Sequence, residues 1–351
     1  MNRASLIALV AGSLVGSGCG PESQPPPVTT DSVYVDPVTP TSAVAGYAWD
    51  PEAFFINVQN CGGAACPIPA MLSEAIPLFM TAVVQGATVM AIDPLAGAPT
   101  GAPQQSGPDG TWRIEGVPGR KDVPYFIVTA GTGTLGELPP GFPAPPLPPV
   151  APANYVPTMT ARPIFATSAG CYFQEAAHAS DNGVLEAVAR YRTAKGQPTT
   201  VADLLNPEKF AAVSVFWLYA PALLPSLLSP ADHTTLEVSA GSKYHIDWAQ
   251  PESLPDVQQS TRGFYVKEGT DSSPIGVTAV VVPAGPAAPA EVTYTPVDTV
   301  VAAEIGRPYQ FFPMPLPAIP GQVSVASLQL FSGFPPPEDV SGAPPAFFCL
   351  F

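Results

Sequence analysis

The chain has 351 residues, with 13 basic and 28 acidic side chains, a net charge of −15 and 48 prolines. That length allows two domains of ordinary size, while the acidic balance excludes nucleic acid, whose phosphates demand Lys and Arg, and excludes binding to anionic lipid by charge. Charged residues make up only 12%, well under the usual quarter, and with so many prolines this argues for an exported β-rich protein with extended loops and against a helical bundle.

At the amino terminus Arg3 is the only charge before residue 22. It precedes an apolar run, Leu6 to Val15, and then Gly16-Ser17-Gly18-Cys19-Gly20. A positive start, an apolar core and small residues make an export signal over 1–18. The run is too short for a final membrane span, which needs about 20 residues. The residues before Cys19 resemble a bacterial lipobox, in which the cysteine sulfur receives a diacylglycerol and the preceding peptide is removed. Gly18 and Ser17 fit that pattern; Gly16 stands where Leu is usual. The resemblance implies lipid attachment at Cys19 and a membrane held through that lipid. The alternative is an ordinary secretory signal with Cys19 as an incidental thiol. Gly20 is not an acidic retention signal, which favours the outer membrane. Removing 1–18 takes Arg3 with it and leaves 12 basic against 28 acidic side chains. Residues 19–42 are rich in Pro, Ser and Thr and poor in large apolar groups, which predicts a disordered tether.

Four further cysteines, Cys61, Cys66, Cys171 and Cys349, allow three pairings. Cys61 and Cys66 are close enough for a tight local bridge, leaving Cys171 to join Cys349. Closing that long loop would stabilise the fold by about 3–5 kcal/mol. A metal clip at Cys61 and Cys66 is the rival, but two thiols without a nearby histidine make a poor site. No metal or cofactor is expected.

Residues 43–131 read as β structure. Val44 to Asp50 opens it, and Gly86 to Asp93 is a second strand. The turn Gly107-Pro108-Asp109-Gly110 leads into Thr111 to Glu115, where Trp112 and Ile114 face one way and Arg113 and Glu115 the other. Gly116-Val117-Pro118 ends that strand, and Tyr125 to Ala130 is the next. The order Val44-Ala45-Gly46, Gly86-Ala87-Thr88-Val89, Asp109-Gly110-Thr111-Trp112, Val117-Pro118 and Tyr125 to Thr129 resembles the carboxypeptidase regulatory-like domain, a small transthyretin-like β-sandwich. The resemblance covers about a quarter of the chain. It implies a sandwich fold and an accessory, non-catalytic role, with no catalytic residues to carry over. The chain departs from the family in two long connections, Trp49 to Gly86 and Val117 to Tyr125.

Residues 132–157 form a proline-rich linker or a strap across a surface, since proline biases its neighbours to extended structure; a ligand for a proline-reading module is the sharper alternative. Residues 158–230 read as a helical segment. Asp181 or Asn182 caps a helix whose face carries Val184, Leu185, Val188 and Tyr191, ending at Lys195-Gly196. Thr200 to Leu205 is a second short helix, and Asn206-Pro207-Glu208 a third helix start. Phe210 to Leu228 carries no charge. Pro221 and Pro225 interrupt it, so a buried core helix or strand is expected ahead of a membrane span. From 231 to 351 β signals return. Leu236 to Val238 and Lys243 to Trp248 read as a hairpin. Gly263 to Lys267, Ile275 to Val282, Glu291 to Thr295 and Val323 to Phe331 read as further strands of a second β-rich, sandwich-like domain.

Chemistry is sparse. None of His178, His233 and His245 lies in a compact ligand set. On a strand, His245 and Asp247 would share a face and could serve a hydrolase; a solvated sheet face is the plainer reading. Gly131-Thr132-Gly133-Thr134-Leu135-Gly136 has the glycine pattern of a dinucleotide loop, but Glu137-Leu138-Pro139-Pro140 cannot supply the helix it needs. Glu338-Asp339 has no spacing that makes a glycosidase pair. Tyr309, Phe311 and Phe312, followed by Pro313, Pro315 and Pro317, either pack as core or present rings to a sugar or a partner protein. The sequence thus predicts a mainly β, non-enzymatic, lipid-anchored envelope protein that is structural or binds a partner. A carbohydrate or cell-wall binding module and a hydrolase at His245 and Asp247 are the alternatives.

Overall fold

The uncharged stretch Phe210–Tyr219 lies at the middle of the molecule as a strand, buried along almost its whole length. A strand covered on both faces needs no polar alternation, which is why this stretch carries no charge. The computed structural model describes residues 40–61, 79–120, 124–136, 147–166, 170–220, 230–255, 258–302 and 306–330. Cys19, Cys66, Cys349, most of the tether and the pair Glu338-Asp339 lie outside them.

The chain is mainly β. Its first part comprises β1 (Thr41–Trp49), α1 (Pro51–Cys61), β2 (Val84–Gln85), β3 (Thr88–Asp93), β4 (Ala98–Gln105), β5 (Thr111–Pro118), β6 (Tyr125–Ala130) and β7 (Thr134–Leu135). The middle holds β8 (Thr158–Ile164), β9 (Cys171–Phe173), β10 (Ala176–Ala177), α2 (Val184–Ala194), α3 (Val201–Leu204) and β11 (Phe210–Tyr219). The last part holds β12 (Thr234–Val238), β13 (Ser242–Trp248), β14 (Phe264–Val266), β15 (Val277–Pro283), β16 (Glu291–Ala302), β17 (Arg307–Gln310), β18 (Met314–Pro317) and β19 (Val323–Gln329).

A nine-stranded sheet in the order β14-β13-β15-β11-β19-β8-β6-β3-β4 runs through the molecule. β19 lies between β11 and β8 and is parallel to both. Alternate residues of each strand build two cores, as a period of two requires. On one face Val213, Val215, Trp217, Val277, Ala279 and Val325 meet Phe55 of α1 and Val184, Leu185 and Val188 of α2. The same face continues across Val89, Ala91, Tyr125 and Ile127, which pack under Val44 of β1 and Trp112 and Ile114 of β5. On the other face Phe216, Leu218, Val280, Ala326, Phe126 and Met159 pack against Leu236, Val292, Tyr294 and Leu316 of the third sheet. That sheet has the order β12-β16-β17, with β18 also on β16.

Two sandwiches therefore form, but they share the central sheet, and the residues from Thr39 onward cluster as one compact unit. The stretch read as helical, 158–230, contributes only α2 and α3 as helices; its β8 and β11 belong to the sheet. Residues 210–219 are a core strand, and no helix among the described residues is long and apolar enough to cross a membrane; 221–229 lie outside them. The expected hairpin from 236 to 248 does not form, because β12 pairs with β16 while β13 pairs with β14 and β15 in another sheet. Asn206 starts no helix; its side chain accepts from the Glu208 N–H at 2.9 Å in a turn that leads into β11. α3 is capped by Thr200 and Asp203 in a reciprocal box. The Gly131–Gly136 loop leads into β7, which pairs with β2 rather than opening a helix.

β1 is held on both edges, antiparallel to β5 and parallel to β9 and β10. The close approach depends on Gly46. A Cβ there would stand 1.9 Å from the Gln174 carbonyl oxygen, which belongs to the fixed backbone between β9 and β10. Gly46→Ala is expected to destabilise the protein by about 1–3 kcal/mol, as forced overpacking does. A urea midpoint unchanged from wild type would refute this account of the β1 edge.

Candidate functional site

Asp50 follows β1 directly and caps α1, with Pro51 at the first helical position. Its Oδ1 accepts the N–H groups of Glu52 and Ala53, each at 2.9 Å. Its Oδ2 accepts from the Tyr155 hydroxyl at 2.9 Å and from Arg262 Nη1 at 2.6 Å. The same guanidinium nitrogen reaches Glu52 Oε2 at 3.3 Å, and Arg262 Nε donates to the Ala151 carbonyl at 3.2 Å. Glu52 also accepts from the Ser180 hydroxyl and, at 2.8 Å through Oε1, from the Val184 N–H. The side chains of Arg262 and Asp50 are fully buried and that of Glu52 is 4% exposed.

Glu52 thus does from a distance what Asp181 or Asn182 was expected to do. The N-cap of α2 is Gly183, which makes no side-chain cap. Any Cβ at Gly183 would collide with the Glu52 carboxylate, 1.9 Å away. A carboxylate suits the positive end of a helix. Asp181 turns instead to Asn154, accepting from its backbone and side-chain amides.

His178 completes the cluster. Its ring stacks on Tyr155 with centroids 4.6 Å apart, and Nδ1 meets Thr129 Oγ1 at 2.7 Å. Burial disfavours the imidazolium and lowers its pKa to about 4. Burial raises Glu52 to about 7, with the Asp50 charge adding to the rise and Arg262 opposing it. Burial also raises Tyr155, so the phenol stays protonated. The residues span 50 to 262 and come from the start of α1, β6, the segment 147–157, the start of α2 and the loop before β14. Nothing here is presented to solvent, so the cluster braces the fold and holds no substrate.

The surface residues singled out in the sequence behave differently. His245 and Asp247 do share a face of β13, but they face different partners. His245 Nδ1 lies 3.4 Å from Thr278 Oγ1, whereas Asp247 Oδ2 accepts from the Tyr265 hydroxyl at 2.6 Å and Lys267 Nζ at 3.2 Å. Burial and the nearby Lys243 lower the His245 pKa. Phe311 packs against the second-face core, while Phe312 is 41% exposed; their rings meet edge to face at 5.9 Å. Tyr309 lies on β17. Phe311 and Phe312 therefore divide between packing and display. Cys171 is buried on β9 and disulfide-bonded; Cys61 ends α1. Among the described residues no group of three or more His, Cys, Asp or Glu could hold a metal.

Sequence reading missed the brace. Asp50-Pro51-Glu52 carries the signal of a helix start, an N-cap aspartate before proline and an acidic first turn, yet the segment after Trp49 was left as a long connection. Nothing in the sequence joins it to Arg262.

No family model matches the chain, and no curated protein matches it. Two solved structures are similar at a low level. One is described as a candidate cell adhesion protein from Bacteroides fragilis, with 10% identity and a TM-score of 0.15 over 70% of this chain and 80% of that one. The other is a variant of the major pilin of Streptococcus pyogenes, with 9% identity and a TM-score of 0.17 over 83% of this chain and 98% of that one. Likenesses of this size carry no argument.

Two predictions follow from the brace. Arg262→Met leaves two carboxylates with no buried cation and is expected to cost about 3–5 kcal/mol, measured by urea unfolding at pH 7. A loss below about 1 kcal/mol would contradict the ion network. The second concerns pH. Glu52, raised to about 7, holds its proton longer in the folded state, so its contribution is present at low pH and is lost as pH rises through 7. His178, lowered to about 4, contributes above its unfolded value of about 6.5 and loses that contribution as pH falls through 4. The two slopes oppose each other between about pH 4.5 and 6.5. Glu52→Gln should expose the histidine slope, with stability rising steadily from pH 4 to 6.5. A Glu52→Gln profile parallel to wild type in that window would disprove the Glu52 assignment.

Proposed function

We propose that the chain is a lipid-anchored, non-catalytic protein of the bacterial cell envelope, one that serves as a rigid structural body or binds a partner. The carrying observation is the order of features at the amino terminus. Arg3, the apolar run and Gly16-Ser17-Gly18-Cys19 are followed by a Pro, Ser and Thr stretch that gives way to β1 at Thr41. An export signal, a lipid-accepting cysteine, a spacer and a β body make a surface-held domain. Outer-membrane attachment is part of the proposal. So is a Cys171–Cys349 disulfide, with Cys61 and Cys66 as the local pair.

The non-catalytic reading rests on how the polar groups are used. The raised carboxyl of Glu52 and the lowered imidazole of His178 are sealed inside the brace, and Asp247 is engaged by Tyr265 and Lys267 rather than by His245. A carboxypeptidase regulatory-like origin for the first sandwich is proposed on the same footing. Its motifs fall on β1, β3, β5 and β6, with β1 paired to β5 in one layer and β3 to β6 in the facing one. α1 falls in the long Trp49–Gly86 connection, where the chain departs from that plan.

Intact-mass analysis of the chain purified from detergent-solubilised bacterial envelope tests the address. The expected mature chain begins at Cys19 and carries acyl mass, and Cys19→Ala should move the protein out of the membrane fraction. A mature chain that starts elsewhere, or carries no acyl mass, rules the proposal out.

A further inference from the structure

The chain has five lysines, and three of them, Lys195, Lys243 and Lys267, line one continuous trough. The trough lies where the last turn of α2 passes the edge of the central sheet at β13 and β14. It consists of two adjoining hollows of about 400 and 450 Å³. Both are walled by Tyr191, Lys195, Lys267 and Glu268. Tyr265 and Gln258 belong to the first, His245 and Thr270 to the second. The second hollow has three lysines and one carboxylate in its wall, on a chain whose acidic groups outnumber its basic ones two to one. Glu268 pairs with Lys195 and Asp247 with Lys267, so the hollow keeps its excess positive charge through Lys243, on a chain that is acidic as a whole.

The cations are available. Lys243 Nζ makes only a long contact, 3.5 Å, to Thr235 Oγ1, and has no carboxylate partner among the described residues. Lys195 pairs with Glu268 at the surface, both about half exposed. Exposed pairs of this kind are weak, so an incoming anion can replace Glu268 at little cost. Lys195 lies 5.4 Å from the Tyr191 ring centroid and Lys267 5.8 Å from that of Tyr265, so each ammonium has a phenol face beside it.

We propose that this trough binds an anionic saccharide, with acid groups at Lys195 and Lys243 and ring hydroxyls at His245, Tyr265 and Thr270. The volume suits one or two sugar residues. An acidic peptide fits less well, because the walls offer only Ala194 and Val266 as apolar contacts for side chains. The inference deepens the proposed function by naming the ligand class of a partner-binding envelope protein. It rests on that reading only for where such a ligand would be met.

The test is binding of the full mature chain to fluorescent oligogalacturonate at 0.15 M salt (roughly physiological), with neutral dextran and poly-glutamate as the other arms. Saturable binding of the uronate alone is expected. Lys195→Ala and Lys243→Ala should each weaken it by roughly tenfold, about the loss of one charge-assisted hydrogen bond. Lys209→Ala, which alters a lysine paired with Asp203 elsewhere, should leave it unchanged. The altered side chains are exposed, so thermal midpoints should stay near wild type and exclude unfolding as the cause. No uronate binding, equal binding of poly-glutamate, or full binding by the Lys195 and Lys243 variants would overturn the proposal. A negative result here leaves the Cys19 mass measurement standing, so the two readings fail separately.

Discussion

A guanidinium buried between two carboxylates needs close partners, and four parts of this fold meet around Arg262, which is bonded through Nη1 and Nε while its buried Nη2 has no hydrogen-bond partner among the described residues. Arg262 lies in the loop before β14, Asp50 and Glu52 at the start of α1, Tyr155 and Ala151 on the strap, and Ser180 and Val184 at the start of α2. Removing water from such a group costs several kcal/mol per ion, and hydrogen bonds recover it only in good geometry. The elements are therefore not free to shift separately, because any displacement leaves a buried charge with too few partners. Burial is what holds the Glu52 proton to higher pH, with the Asp50 charge adding to the rise and Arg262 opposing it.

The central sheet imposes the second constraint. Because its two faces are both covered at the centre, inner strands such as β11 and β15 supply apolar residues at odd and even positions alike, and a slip by one residue would exchange the two cores. Trp217 belongs with α1 and α2, and Phe216 with Tyr294. Parallel pairing of β11 with β19, and of β19 with β8, stitches the last strand among the described residues between two strands from the middle. The sandwiches consequently cannot part as beads on a string would. The brace ties together elements at the face of that sheet covered by α1 and α2, while backbone pairing ties its strands edge to edge.

Much of this was legible in the residues. Alternation placed β5 with Trp112 and Ile114 inward, and the apolar face of α2 at Val184, Leu185 and Val188 was read correctly. The absence of charge from Phe210 marked a core element, and its β-branched and aromatic content decides for strand. Local signals gave out where partners are distant. Ser239-Ala240-Gly241-Ser242 has the composition of a hairpin turn, yet it carries the chain from one sheet to the other, since β12 is completed by β16 across fifty residues. The α2 cap failed for the same reason: two good local candidates lost to a carboxylate 132 residues away. Of the surface residues, His245 was found, but Lys195, Lys243 and Lys267 gather only in the fold.

The proposed trough must work against the field of the rest of the chain. A net charge near −15 repels a polyanion at long range, while the three lysines attract it within a few ångströms. Screening acts unequally on the two. At a Debye length of about 8 Å the distant acidic groups are largely masked, whereas contacts inside the trough are shorter than that length. Moderate salt should therefore favour engagement and only high salt should weaken it, so affinity would pass through a maximum. A simple basic patch on a basic protein would show a steady decline instead.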